Sequence, residues 1–435
     1  MKKLMALCAS ILIWMIGASL AMAETSLQHQ IDATPEKGVL VLSGEVYTGN
    51  IRITKPLTIK GNGHTVIRGD GRGNVISIEA SNVHIENVTV EHGSMDRNSA
   101  EEYSAIKVTS HHNVLRHIQI SDSFHGIFLK NANDNLIENC TIKGLGKQEI
   151  AGQGNGIQLI HAKRTKLFNN VIDGNRDGIY FYYGTETISE NNKITNTRYG
   201  LHYMYSDDNL FYRNQFTNNT GGAALMMSSR IELKENEFSL SEGMQGFGLL
   251  ILSASNVKVI ENRFFQNQKG LFCDDTNSNL VQGNHFVHNR IGINIRNTSD
   301  LVFTENHFFS NTFPVISTGA QYENKWSLDD KGNYWGDTLP VFDLNGDGVG
   351  DDPVEYRSSL DKLINDNELI YLFLSSPAIN VYEKLSQVLH QQDTMFIDNR
   401  PLIEAGKRNP YILWITLFAG IGIAALYRGI RRKKV

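Results

Sequence analysis

Three side chains in this chain have the chemistry of a soft-metal site: His202, Met204 and Met226. Imidazole and thioether are the donors that suit Cu(I) where no thiolate pair is at hand. The rival reading is an outward patch covered by the insertion at 241–247, with methionine as packing filler. Met227 and Met244 lie nearby in sequence, whereas no methionine falls in the register of His111–His112 or of His285 and His288. A harder set of donors is Asp343, Asn345, Asp347 and Asp351, with Gly348 between them. Their spacing matches the first nine places of an EF-hand calcium loop, but Val354 stands where the twelfth-place Glu belongs. The expectation is a structural Ca²⁺ turn, with a metal-free Asp/Gly-rich turn as its rival. Cleavage or epimerisation of a uronic-acid polysaccharide would need clustered carboxylates with an acid or base. Asp274–Asp275 is the best such pair, and Asp177 with His202 is a candidate base and proton donor. Asp274, however, is expected to meet Arg296 as a surface ion pair worth little.

These residues are positioned by a repeat. Segments opening at Gly178, Gly200, Gly222, Gly248, Gly270 and Gly292 alternate apolar and mixed residues, then turn and reach an Asn. The Asn series is Asn170, Asn192, Asn214, Asn236, Asn262, Asn284 and Asn306, stepping by 22 except for one step of 26 around Ser241–Gln245. Upstream, Val88, Ile118 and Cys140 hold the same register. Alternation marks strands with one buried face, and a fixed period of this length marks stacked units that bury their apolar side only against copies of themselves. The predicted fold is all-β: a right-handed parallel β-helix of roughly 22-residue coils, followed by C-terminal helices and one transmembrane helix. Register then puts Met204 and Met226 on adjacent coils, outward-facing, with His202 two residues along the same strand. The Asn series reads as structural: Asn tolerates unusual corner dihedrals, and its amide can bond to neighbouring coils.

Residues 1–23 read as a secretory signal peptide, with Lys2 and Lys3 before an apolar core and an Ala-x-Ala end. Cleavage there removes Cys8 and leaves Cys140 and Cys273, which look like small core residues. A bacterial periplasm is the expected compartment. The β-helix is assigned to residues 24–337, with inserts at Met95–Tyr103 and Gly144–Gly154, and the possible calcium loop to 338–358. A formal charge of −5 over 435 residues gives no support for nucleic-acid binding. Residues 359–408 carry apolar residues at helical spacing (Leu360, Leu363, Ile364; Leu369, Leu372, Phe373; Val381, Leu385, Val388, Leu389), predicting two amphipathic helices whose apolar faces pack on the solenoid or dock a partner. Residues 409–428 hold an uncharged run from Tyr411 to Tyr427, and 429–435 form a basic tail. Hydropathy and the basic excess predict an inner-membrane span with the tail in the cytoplasm and the β-helix outside.

Three stretches carry a family resemblance: the Asn-rich coils, the GNYWGD exit at 332–337 followed by DLNGDGVGDDP at 343–353, and the SSPAINVYEKL and DNRPLI segments of the tail. Together they resemble the NosD family, the periplasmic copper-processing accessory proteins of nitrous oxide reductase maturation. The coils alone are shared with a broad group of carbohydrate-binding and sugar-hydrolase β-helix proteins; the exit and tail are more specific. The resemblance implies a non-enzymatic protein that works with an ATP-binding-cassette transporter, its ATPase and membrane subunits. It implies a copper chaperone upstream and assembly of the copper–sulfide cluster of nitrous oxide reductase downstream. The membrane span is not a general feature of that family and rests on hydropathy alone.

Overall fold

The structure is a computed structural model that describes residues 26–146, 150, 152–336, 339–374 and 376–403. The leader at 1–23, the span at 409–428 and the basic tail lie outside the described residues. No helix among the described residues is long and apolar enough to cross a membrane.

Each coil contributes one strand to a 12-stranded parallel sheet and two short strands to a 22-stranded array. Pairing follows the period: Ile179 lies opposite Leu201, Leu201 opposite Ala223, and Phe216 opposite Phe238. The glycine that opens each coil is required by crowding and not by dihedral angle. A Cβ on Gly200 would sit 2.5 Å from the Gly222 carbonyl oxygen, and one on Gly270 would sit 2.6 Å from that of Gly292. Inside, Phe216, Phe238, Phe264, Phe286 and Phe308 form a column of stacked rings that ends on Trp335, with neighbouring centroids 4.5–5.1 Å apart. Such offset stacking adds to the burial of each ring.

The Asn series Asn170 to Asn306 is fully buried. Each amide oxygen accepts from the backbone N–H of the previous coil's residue, as Asn236 does from Asn214 at 2.8 Å, and each amide nitrogen donates to a carbonyl such as that of Phe211 at 2.9 Å. The amide ladder is as expected, but the corner strain is borne elsewhere. Left-handed φ values belong to the residues just before the ladder, Asn191, Arg213, Glu235 and Glu261 among them. The ladder positions need the two-sided amide, and the preceding residue carries the αL penalty of about 1 kcal/mol.

Both ends are closed. Helix α1 (Leu27–Ala33), capped by Ser26, buries Leu27 and Ile31 over the first coil. At the other end an antiparallel two-stranded sheet of Val354–Ser358 and Asp393–Asp398 lays Phe396 on Trp326 and Trp335. The strand Asp393–Asp398 lies within the segment expected to be wholly helical. Helix α2 (Leu360–Asp366) packs Leu360 and Ile364 on Ile291, Phe313 and Ile316, as its periodicity predicts.

Two expectations stood for helix α3 (Pro377–Val388), packing on the solenoid or facing a partner. The structure buries Ile379 in the cluster of Leu360 and Ile364 and leaves the rest of the apolar stripe outward. Val381, Leu385, Val388 and Leu389 are exposed, while Glu383 and Ser386 face the protein. The cause is Glu383, whose carboxylate accepts from Ser359 N at 3.0 Å, Ser359 Oγ at 2.7 Å and Gln392 Nε2 at 3.1 Å. A charge already holding that many donors is costly to turn out, so the docked side is the one that carries Ile379, Glu383 and Ser386.

Candidate functional site on the outer sheet face

Strand Tyr199–Met204 presents His202 and Met204 outward, while Leu201 and Tyr203 are buried. Met204 lies directly opposite Met226 on the next strand. In a parallel sheet that is a separation of about 4.8 Å between strands, within reach of two unbranched thioethers. Around the corner Met227 is exposed, on a ridge shared with Tyr205, Tyr183 and His161, whose rings stack 5.1–5.4 Å apart.

His202 is brought to this face but is tied to other groups. Its Nδ1 lies 2.9 Å from Asp177 Oδ2, and Arg198 grips the same carboxylate through Nε at 2.9 Å and Nη2 at 2.6 Å. Burial would raise the Asp177 pKa, yet the hydrogen bonds from His202 and Arg198 outweigh it and hold the group below the usual carboxylate range. Tyr180 and Tyr199 contact the imidazole edge to face at 5.0 and 5.3 Å. The Asp177–His202 contact was legible as a candidate pair; Arg198 was not. It stands 21 residues after Asp177, one short of the period, so the repeat does not align them.

The remaining candidates separate. His111 uses Nδ1 to accept from Asn133 N at 3.0 Å. His285 stacks on His307 at 4.5 Å, while His288 sits at a corner beside Phe265. Met244 lines a cleft of about 380 Å³ with Tyr199, Phe247, Lys269 and Tyr371, apart from the Met204–Met226 pair. Cys140 and Cys273 are buried and free. Burial pushes the Cys140 thiol up to about 12 and Cys273 higher still, so neither supplies a thiolate. Asp274 and Asp275 diverge: Asp274 forms a bidentate pair with Arg296 at 2.8 and 2.6 Å, and Asp275 turns to Ser253. The Asp274 side chain is only 10 % exposed, so this pair is more buried than the surface ladder expected.

In the acidic loop, Asp343 accepts from Gly346 N and Gly348 N, Asn345 from Asp347 N, Asp347 from Val349 N, and Asp351 from Leu344 N. The side chains close the loop's own turns. Among the described residues no group of three or more His, Cys, Asp and Glu side chains converges to hold a metal ion, and that includes this loop.

Comparison with known proteins decides the family. The model for the periplasmic copper-binding protein NosD matches residues 145–339, and a right-handed β-helix model matches 37–216. A probable ABC transporter binding protein NosD of Stutzerimonas stutzeri is 30% identical over 387 residues, covering 86% of this chain and 88% of the relative. The chain belongs to the NosD family. A NosD of Pseudomonas aeruginosa is 29% identical over 113 residues, 26% of each chain. Among solved structures, the A-module of Azotobacter vinelandii mannuronan C-5 epimerase AlgE4 superposes with TM-score 0.56 at 15% identity, covering 69% of this chain and 94% of its own. The catalytic unit of a Streptomyces thermodiastaticus GH87 α-1,3-glucanase gives 0.54 at 14%, covering 71% and 66%. At such identities the likeness is one of fold. The NosD match runs through the Met204–Met226 strands and the GNYWGD exit at 332–337.

Proposed function

We propose that this chain is a non-enzymatic periplasmic accessory protein that takes up and passes on copper, with or without sulfur, during assembly of the copper–sulfide cluster of nitrous oxide reductase. Copper is here cargo, held transiently. The observation that carries the reading is the in-register pair Met204–Met226 on the outer sheet face, with His202 on the same strand. Thioethers and an imidazole in a site without thiolates favour Cu(I) over harder cations. The family's description as copper-binding and its relatives' description as transporter-binding supply the context. The apolar stripe Val381, Leu385, Val388 on α3 is the face we assign to the transporter's membrane subunits. The run at 409–428 is the anchor that holds the solenoid to the inner membrane, and a copper chaperone is the donor. Calcium in the loop of Asp343, Asn345, Asp347 and Asp351 would be structural, and no step depends on it.

The full-length chain should bind Cu(I), and bound metal should protect Met204 and Met226 from peroxide. Changing His202, Met204 and Met226 together to Ala should weaken Cu(I) binding at least tenfold with the far-ultraviolet spectrum unchanged, because all three side chains face outward. Unaltered binding would return the three residues to a packing role.

A second reading, a β-helix enzyme acting on uronic-acid polysaccharide, is favoured by one contact, that of Asp177 with His202 beside Arg198. Epimerised or unsaturated product from mannuronan or polygalacturonate, lost in Asp177→Asn, would replace the copper reading.

A further inference from the structure

The ionised Asp177 carboxylate can only accept hydrogen bonds. The 2.9 Å contact with His202 therefore requires the proton on Nδ1. Arg198 Nη2, which approaches the same ring nitrogen at 3.3 Å, donates to Asp177 at 2.6 Å. In the neutral imidazole the lone pair then lies on Nε2. Two other histidines are arranged the opposite way. His125 Nδ1 accepts from Asn155 N at 2.9 Å and His111 Nδ1 from Asn133 N at 3.0 Å, which places their protons on Nε2. Neither can ligate through Nε2 without losing that arrangement.

The Asp177 group also differs from most of the ion pairs, and from the nearly buried Asp274–Arg296 pair in that it holds a histidine as well as an arginine. Pairs such as Arg164–Asp134, Arg213–Glu235 and Arg230–Asp208 are exposed and join residues one coil apart. Asp177 is only 2 % exposed, takes two cationic or polar partners from the following coil, and stands in a strand position held one and two coils later by Tyr199 and Gly221. The desolvation cost of a carboxylate buried there is offset by its bonds from His202 and Arg198. The same geometry orients an imidazole: metal-ligating histidines ordinarily give their second ring N–H to a carboxylate, which fixes tautomer and direction.

We infer that Asp177, clamped by Arg198, is the positioning residue of His202, holding its imidazole in the Nδ1–H form so that Nε2 is the donor offered to Cu(I). The inference rests on the copper reading above and adds to it which nitrogen binds and what aims it. Asp177 itself touches no metal.

The test uses the full-length chain labelled with ¹⁵N-histidine. In the metal-free protein the His202 shifts should report Nδ1–H and a bare Nε2. Asp177→Asn replaces an acceptor by an amide that can donate, which inverts the tautomer. Cu(I) affinity, read by competition with a chromogenic chelator, should then fall roughly 10–100-fold, and Asp177→Glu should recover most of it. If His202 carries its proton on Nε2 in the wild type, the inference is overturned even if the variants fail to fold. It is overturned alone if Asp177→Asn inverts the tautomer yet keeps wild-type affinity while Met204→Ala/Met226→Ala loses it. A wild-type chain with the Nδ1–H form that binds no Cu(I) overturns the copper reading, and the inference with it.

Discussion

In the coils between Gly178 and Asn311, inward positions hold mainly apolar side chains, Asn whose amides are bonded on both sides, and small hydroxyl residues such as Ser189 and Thr197. In α3, beyond the solenoid, the order is largely inverted: Glu383 and Ser386 face the protein beside Ile379, and Val381, Leu385 and Val388 face outward. The coils are complete by themselves, because each is the template for the next. The tail is folded but not complete. The polar side of α3 is bonded locally through Glu383, and its apolar stripe has the i, i+4, i+7 spacing of a docking helix. A solenoid that supplies its own neighbours leaves its outer face free for chemistry, and the exposed stripe after it is the face we assign to a partner.

The comparison breaks most sharply inside the ladder. Asn236→Ala leaves Asn214 N, Asn214 Nδ2 and the Phe211 carbonyl short of a partner in a dry interior. At roughly 1–3 kcal/mol for each stranded buried group, the expected loss is about 4 kcal/mol. Urea unfolding should show it as a lower midpoint. A loss below about 1 kcal/mol would mean the ladder is ornament on a fold held by its phenyl column.

A polar group embedded in the coils should make itself felt through pH. Burial, then the charge of Arg176, lowers the His125 pKa from 6.5 to about 4. The folded state keeps this base neutral while the unfolded chain protonates it. Its stabilising contribution is therefore whole above pH 6.5 and is lost as pH falls toward 4, by roughly 3 kcal/mol. His125→Gln should flatten that part of the stability–pH curve. A slope the same in both proteins would place the titration elsewhere.

The smallest effect on stability is expected in the tail. Leu385→Ser with Val388→Ser should change unfolding by no more than about 0.5 kcal/mol, because both side chains are already exposed. Co-purification with the transporter's membrane subunits should nevertheless be lost. A large fall in melting temperature would instead mean the stripe is packed within the molecule.

Much of this was legible before any coordinates. The period alone maps a separation of 22 residues onto neighbouring strands, so the Met204–Met226 pair, the Asn ladder and the Asp274–Arg296 contact follow from counting. In-register parallel stacking leaves no freedom in which residue meets which. Counting fails where an interaction leaves the register or where an element is not part of the repeat. The Arg198 clamp on Asp177 is off by one residue, and the nitrogen by which His202 binds its carboxylate depends on side-chain torsions that the repeat does not constrain. The ladder corners were misplaced by one position for a related reason, since the requirement for an amide and the left-handed turn fall on adjacent residues. For α3, periodicity identified the stripe but not its direction. Which side of an amphipathic helix docks is settled by the surface it meets, and here that surface offers Ser359 and Gln392 as donors to Glu383 and an apolar cluster to Ile379 alone.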